Sequence, residues 1–474
     1  MRRLNVVLLA LALVLGAYLR FSGLNTREMS ADEGASWAAA RAPTLVEVLR
    51  LQAHLNPGEF GLHDLALHAW MRAFGDSLVA MRSLSAAAGA FAIILVFFVS
   101  RELLQLGLTE NSAPSSSVLN PDQSTAKGGV DQPIPAVAAL FFAVNLVTIK
   151  YAQEARMYPL ALALVLTQVW FFLRAARIGG LINYSLAAVF TALSITATLT
   201  ASLILLPEGV WLIYLLMTLG ADRFGTVMRF AAALGAALLL TAPAALNYYH
   251  ARGGVPPADV YSWISLPQPW APLSLFNKGS GTFAFPLMAA LVVWAVIRSR
   301  PRFADGVLFA LFWMFAAPIA LLIISYVVHP VFVERYMLSC FVPFFILVAI
   351  GACSLDSAWT RIGVVTLVAA LALGHIAEFN RRPHDAQWRE ATVAAANHVG
   401  SEGSIAVAPR YAANVVRYYL AHGSNSRVSA VGYDSAAGVI IVADTSVGLP
   451  EESQLARAYP HVLAHVRGLV VREH

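Results

Sequence analysis

The sequence contains few charged residues. Asp, Glu, Lys and Arg make up 12% of its 474 residues, whereas an ordinary soluble domain carries about 25%. Hydrophobic residues account for 58%, and the mean hydropathy is +0.66. With so little charge, most of the surface of a chain this long does not face water. The composition excludes an ordinary soluble protein and predicts a polytopic integral membrane protein.

Cysteine is also scarce. Cys340 and Cys353 are the only two, and they lie 13 residues apart in one apolar run. A helix would place them about 20 Å apart, which is beyond the reach of a disulfide. They show no metal-ligand spacing, so both are interpreted as packing residues. The formal net charge of +5 is small for this length and indicates no nucleic-acid partner.

Long apolar runs are what the sequence has instead. A bilayer core about 30 Å thick requires about 20 apolar residues per helix, and eleven transmembrane spans are predicted. They lie near residues 4–19, 78–99, 134–149, 158–173, 181–198, 202–219, 230–248, 283–298, 307–328, 337–353 and 362–378. The block 181–220 is divided at 199–201 because its length fits two spans. Arginines in alternate loops place the N-terminus in the cytoplasm and the C-terminal part outside.

Three segments differ from these runs. Residues 20–77 form a long first external loop whose short amphipathic helices are expected to lie on the membrane interface. Residues 107–133 are rich in Ser, Pro, Asn, Gln and Gly, which predicts a disordered cytoplasmic loop. The chain thus divides into a membrane domain, 1–378, and a small external α/β domain, 379–474. In that second domain helices are predicted at 385–399 and 411–421, and strands at 404–408 and 438–443.

The first external loop carries two adjacent carboxylates, Asp32 and Glu33, close to the membrane interface. Two interpretations are open. Both residues suit the first turn of a solvated helix, where negative charge is favourable. Alternatively, one of them is a general base, whose pKa partial burial would raise and which would accept a proton from an acceptor hydroxyl.

Two further polar segments join spans on the same side. The second external loop contains Glu154 and Arg156. It is either an ordinary polar loop or a segment that sets Glu154 near the first-loop carboxylates and Arg156 near an anion. Arg335 precedes the tenth span. It is either an interface anchor or a phosphate ligand that uses its planar guanidinium.

The histidines of the first loop do not indicate a metal site. His54, His63 and His68 lack a recognised zinc spacing. We therefore expect no cofactor, with a divalent metal as the open alternative.

In their order, these segments resemble the C-type, lipid-sugar-dependent glycosyltransferases. The matching strings are ADEGASW, YAQEARMYPLALAL and VFVERYMLSCFVPFF, and in the tail AQWREATVAAANHV and RYAANVVRYYL. The nearest group is glycosyltransferase family 39, with the protein mannosyltransferases and the bacterial lipid-A aminoarabinose transferases. One stretch departs from the pattern. Many bacterial relatives carry His-Pro-Pro-Leu before their second span, where this chain reads Asn56-Pro57-Gly58-Glu59-Phe60-Gly61-Leu62-His63-Asp64, which leaves the donor and acceptor open.

The resemblance implies an inverting transferase in the inner (plasma) membrane with its active site on the extracytoplasmic face. Its donor would be a sugar linked to polyprenyl phosphate, and its acceptor a glycolipid, polysaccharide or protein of the cell envelope. The implied catalytic residues are Asp32, Glu33 and Glu154. The implied substrate-binding residues are Arg156, Tyr158, Arg335 and Tyr336.

The main alternative class is a transporter or lipid-linked-sugar flippase. Such proteins place charged residues or broken helices near the bilayer midplane. Here the carboxylates cluster in external loops instead, which favours the transferase.

Overall fold

The computed structural model describes most of the chain. The described residues are 2–106, 133–219, 224–253, 264–298, 304–382, 386–399, 403–423, 428–432, 437–443, 455 and 457–473. The predicted disordered loop, 107–133, lies outside these ranges except for its last residue.

Helices dominate the described part. They are α1 (Arg2–Phe21), α2 (Ala31–Ala40), α3 (Leu45–Leu55), α4 (Leu62–Phe74), α5 (Leu78–Leu103), α6 (Ile134–Ala143), α7 (Leu146–Ala152), α8 (Tyr158–Ile178), α9 (Leu181–Ala197), α10 (Leu205–Leu219), α11 (Phe224–Arg252), α12 (Ala271–Ser280), α13 (Phe285–Arg298), α14 (Ala304–Val327), α15 (Phe341–Cys353), α16 (Ala358–Arg381), α17 (Trp388–Val399) and α18 (Ala413–Ala421). Short 3-10 helices, Leu199–Ile204 and Glu334–Cys340, lead into α10 and α15.

Eight spans in the described part are long and apolar enough to cross a membrane. They comprise α1, α5, α8, α10, α11, α14, α15 and α16, with the 3-10 turns extending α10 and α15. Two bent pairs, α6–α7 at 59° and α12–α13 at 113°, raise the number to ten if each is one span. Every predicted run coincides with a helix, but the count of eleven is not confirmed, because α9 has only 17 residues. The predicted division of 181–220 corresponds to the break between α9 and α10.

The break between α6 and α7 is held by a buried arginine of α1. Arg20 is fully buried, and its guanidinium donates to the carbonyl of Ala143 at 2.9 Å and to the hydroxyl of Thr148 at 3.1 Å. A bend inside apolar surroundings leaves backbone carbonyls without helical partners. The arginine supplies the missing donors, so the chain can bend directly before the loop that carries Glu154 and Arg156.

The tail forms the predicted small α/β domain. Its strands are β1 (Ser404–Ala408), β2 (Ser429–Gly432), β3 (Val439–Ala443), β4 (His461–Val466) and β5 (Leu469–Glu473), in the sheet order β2-β1-β3-β5-β4. β1 pairs in parallel with β2 and β3, whereas β3–β5 and β4–β5 are antiparallel. The two predicted helices and two predicted strands are present as α17, α18, β1 and β3, and three strands were missed.

Helix α18 of this domain packs directly on α2 of the first external loop. A Cβ at Gly34 would lie 2.9 Å from the backbone nitrogen of Val415, so only glycine permits this approach. The backbone N–H of Met29 donates to the Tyr419 hydroxyl at 2.9 Å, and the rings of Trp37 and Tyr418 meet edge to face. The external domain thereby fixes the helix that carries both first-loop carboxylates.

Candidate active site

Helix α2 begins with a capping box, which determines where its first-turn carboxylates point. The Ser30 hydroxyl accepts from the N–H of Glu33 at 3.2 Å, and the Glu33 carboxylate accepts from the N–H of Ser30 at 2.9 Å. This reciprocal pair satisfies two of the N–H groups that a helix start leaves open. Since successive helical residues point about 100° apart, turning Glu33 inward turns Asp32 outward.

Glu33 lies in a closed site. It is 1% exposed, and Arg82 donates to it from Nε at 2.7 Å and from Nη2 at 2.8 Å. The backbone N–H of Ala155 is a further donor at 2.8 Å. Burial alone would raise the pKa of Glu33, but the Arg82 guanidinium and these hydrogen bonds hold it below its usual value. The carboxylate joins the first loop, α5 and the second loop.

Asp32 has the opposite environment. Its side chain is 47% exposed, and one oxygen accepts from Nη1 of Arg335 at 3.2 Å. Arg335 is 25% exposed and precedes the late span α15. The fold thus brings together two residues 303 positions apart. Both side chains are partly exposed.

A pocket lies beside this ion pair. It is a cleft that opens to solvent and not an enclosed cavity. Its lining includes the polar groups of Arg335, Tyr158 and Tyr336 together with the apolar side chains of Leu162 and Val165. The Arg335 guanidinium lies 5.9 Å from the centre of the Tyr158 ring, a cation–π distance. A cationic mouth above an apolar wall suits a ligand that has an anionic head and a hydrocarbon tail.

Arg156 does not have the surroundings expected of an anion ligand. It is buried, and Nη1 donates to the Ser36 hydroxyl at 2.9 Å and to Oδ1 of Asn56 at 2.7 Å. Nη1 also reaches the backbone carbonyl of Asp32 at 3.1 Å, while Nη2 donates to Glu59 at 2.9 Å. These contacts hold the first external loop together, and the contact of Arg156 with an anion stays a prediction.

Glu154 is the second-loop carboxylate. It is partly buried, and within the described ranges no hydrogen bond to its carboxylate is recorded. Burial, followed by the negative charge of Glu33, raises the pKa of Glu154 to about 7. Asp32 adds to this rise, while Lys150 and Arg156 oppose it. A carboxylate that titrates near neutral pH next to Asp32 can tune the charge of the site.

Sequence reasoning missed Arg82, Asn56 and Glu59. Arg82 offered a signal, because it is a charged residue inside the predicted span 78–99 and such residues need a partner. Asn56 and Glu59 fall in the stretch that departs from the relatives' His-Pro-Pro-Leu. Their contacts with Arg156 join residues about 100 positions apart, so no local sequence pattern predicts these contacts.

The sequence matches no protein-family model and no curated protein. Among solved structures, the apo form of ArnT from Cupriavidus metallidurans is similar over 98% of this chain and 97% of that chain, with 15% identity and a TM-score of 0.60. The same protein bound to undecaprenyl phosphate gives a TM-score of 0.58 at 14% identity, with the same coverage. This chain shares the fold of ArnT. The predicted architecture, a helical membrane domain followed by a small α/β domain, is thereby confirmed.

A weaker match involves the S. cerevisiae protein O-mannosyltransferase Pmt1-Pmt2 complex bound to the sugar donor. It covers 58% of this chain and 36% of that chain at 13% identity, with a TM-score of 0.39, too low to support an argument. At these identities the likeness to ArnT establishes the fold alone, so the activity has to be argued from the site.

Proposed function

We propose that this protein is a membrane glycosyltransferase. It moves a sugar from a polyprenyl-phosphate donor to a cell-envelope acceptor at the extracytoplasmic face, with inversion at the sugar carbon. The observation that carries the proposal is the exposed Asp32–Arg335 ion pair beside a pocket with an apolar wall. One of the two ArnT structures that share this fold contains undecaprenyl phosphate, a ligand with the head and tail such a pocket suits.

Donor binding would break the ion pair between Asp32 and Arg335. The donor phosphate would become the partner of Arg335, whose planar guanidinium matches a phosphate, and the lipid tail would follow the apolar side of the pocket. Asp32 would then lose the hydrogen bond from Arg335. Binding of the donor would thereby free the Asp32 carboxylate to accept a hydrogen bond from the acceptor hydroxyl or amine.

The reaction is a single displacement. An acceptor hydroxyl or amine attacks the anomeric carbon, a new bond forms to that carbon, and its bond to the phosphate oxygen breaks. The electron pair leaves on polyprenyl phosphate, where Arg335 stabilises the added charge. The acceptor proton passes to Asp32, and the exposure of Asp32 lets it return this proton to solvent. General-base catalysis of this kind contributes about 10²–10⁴-fold in rate.

The residues that the sequence predicted for the site therefore receive different roles. Asp32 is the proposed base, Arg335 the phosphate ligand, and Tyr158 and Tyr336 wall residues of the donor pocket. Glu154 adjusts the charge around Asp32. Glu33 and Arg156 are proposed as positioning residues, because both are buried and bonded within the protein.

One observation favours the rival transporter or flippase class. Glu208 is buried in α10 and accepts a hydrogen bond from Gln168 of α8 at 2.6 Å. An ionisable side chain within a spanning helix is a common feature of translocation pathways.

The test uses purified protein in liposomes supplied with a polyprenyl-phosphate sugar and cell-envelope acceptors. Wild type and the exposed first-loop control Glu47→Gln should release polyprenyl phosphate and form a glycosylated acceptor, measured by mass spectrometry. Asp32→Asn should do neither. If the donor instead crosses the bilayer intact, and Glu208→Gln stops that movement, the protein is a flippase and the proposal fails.

A further inference from the structure

A second group of ionisable side chains lies next to Arg156, on the first external loop and the start of α4. Glu59, His63 and Asp64 are 1%, 1% and 0% exposed. They come from the stretch that departs from the relatives' pattern and from the first turn of α4. Their side chains offer three oxygen or nitrogen atoms within 4.8 Å of one another. The proposed sugar transfer uses none of the three.

Each of these residues leaves polar atoms without a partner among the described residues. Glu59 accepts from Arg156 through Oε1, but its Oε2 has no hydrogen bond. Asp64 accepts from Asn56 through Oδ1 at 3.3 Å, but its Oδ2 has none. Neither ring nitrogen of His63 has a partner. A single unpaired buried polar atom costs about 1–3 kcal/mol, so four such atoms in one cluster call for a ligand.

We propose that Glu59, His63 and Asp64 bind one divalent first-row transition-metal ion, with Zn²⁺ the best match. Zinc accepts an imidazole nitrogen together with carboxylate oxygens. Magnesium and calcium prefer oxygen ligands alone and keep more of them. With metal bonds of about 2.0–2.2 Å, the donor atoms would have to move to within roughly 3.3 Å of one another. Side-chain rotation supplies this adjustment, and a fourth position stays open.

The charges agree with a cation. Glu59 and Asp64 carry two negative charges when ionised, and Arg156 offsets one through its 2.9 Å bond to Glu59. The nearest nitrogen–oxygen distance between His63 and Asp64 is 4.0 Å, too long for a hydrogen bond. A metal would engage the atoms that these contacts leave out.

The site would also stabilise the neighbouring loop. One carboxylate oxygen of Glu59 would bind the metal, and the other would accept from Arg156. Arg156 in turn holds Asn56 and the backbone of Asp32. The metal would thus affect the candidate active site only indirectly. It would hold Arg156 in place, and Arg156 would position the backbone of Asp32. The metal proposal does not rest on sugar transfer, and binding is measured without any donor.

The experiment measures metal directly on the full-length protein. Wild type is purified without chelator, and its metal content is determined by mass spectrometry. It is then titrated with Co²⁺, whose visible absorption reports four-coordinate binding. The variants His63→Ala and Asp64→Asn are compared with His54→Ala, which removes an exposed histidine of the same loop.

Wild type and His54→Ala should each hold about one equivalent of metal or bind Co²⁺ with the tetrahedral spectrum. His63→Ala and Asp64→Asn should weaken binding by about 100-fold or more. Should either variant fold poorly, the wild-type titration decides alone. Absence of both co-purified metal and the Co²⁺ spectrum from wild type overturns the proposal, and so does equal binding by all four proteins.

Discussion

Asp32 and Glu33 are neighbours in the sequence and opposites in the structure. Glu33 is buried, accepts hydrogen bonds from Arg82 and two backbone N–H groups, and connects three segments. Asp32 is half-exposed and has one contact with a cation, across the mouth of a pocket. The capping box produces this difference by fixing which side chain turns inward. The comparison teaches that a pair of acidic residues can divide its work, one holding the site and the other meeting the substrate.

The largest expected effect comes from breaking the buried pair. Arg82→Ala leaves the Glu33 carboxylate buried without its cation, which typically costs about 3–5 kcal/mol. Thermal unfolding in detergent should occur at clearly lower temperature than for wild type. Arg298→Ala, which removes an ion pair with the exposed Asp356, is the matched control and should change little. Equal stability of both variants would mean that the buried pair does not hold the site.

For the Asp32–Arg335 pair, the expected effect is on donor binding and not on stability. Arg335→Lys keeps the charge but loses the planar fork, so affinity for a polyprenyl-phosphate donor should fall roughly 10- to 100-fold. Unfolding temperature should stay close to that of wild type, because Arg335 is partly solvated. Binding can be followed by native mass spectrometry of the purified variant. Unchanged affinity in Arg335→Lys and Arg335→Ala would return Arg335 to the role of interface anchor.

A smaller effect concerns pH. Because burial and Glu33 raise the pKa of Glu154 to about 7, its carboxylate is ionised above that pH and neutral below it. Transfer should decline as the pH falls through 7, and Glu154→Gln should remove this dependence. Asp32, Lys150 and Arg156 face the same carboxylate, so the charge of Glu154 is felt within the site. If the pH dependence of transfer were the same in Glu154→Gln as in wild type, Glu154 would have no role in the reaction.

The same pKa has a consequence for stability. A folded-state pKa above the unfolded one means that the folded protein binds the Glu154 proton more tightly. Stability from this group is therefore present at low pH and is lost as the pH rises to about 7. The unfolding temperature of Glu154→Gln minus that of wild type should therefore be more positive at pH 8 than at pH 5. The measurement is a pair of thermal scans for each protein.

Much of the fold could be predicted because hydropathy acts over whole segments. The membrane excludes unpaired backbone groups, so an apolar run of sufficient length becomes a helix almost regardless of its details. The tail was harder to predict. The β4–β5 hairpin carried a usable signal that was missed, the two-residue turn Arg467-Gly468 with its glycine at φ +72°.

The site was predictable in part. The order of the motifs indicated that Asp32, Glu154 and Arg335 belong together on one side. It did not indicate which carboxylate is buried, since that depends on Arg82, 49 residues further along the chain. Arg156 was assigned to an anion because a charged residue in an external loop suggested one. Its actual partners, Asn56 and Glu59, emerge only when the first loop has folded around it.

The most direct test of this division of labour compares Asp32→Asn and Glu33→Gln in one assay. Each variant is measured for thermal unfolding, donor affinity and turnover per folded protein. Asp32→Asn should unfold like wild type, bind donor, and lose about 10²–10⁴-fold in turnover. Glu33→Gln should unfold earlier and retain more turnover per folded molecule. Wild-type turnover in Asp32→Asn, or the greater loss of turnover in a well-folded Glu33→Gln, would contradict the account.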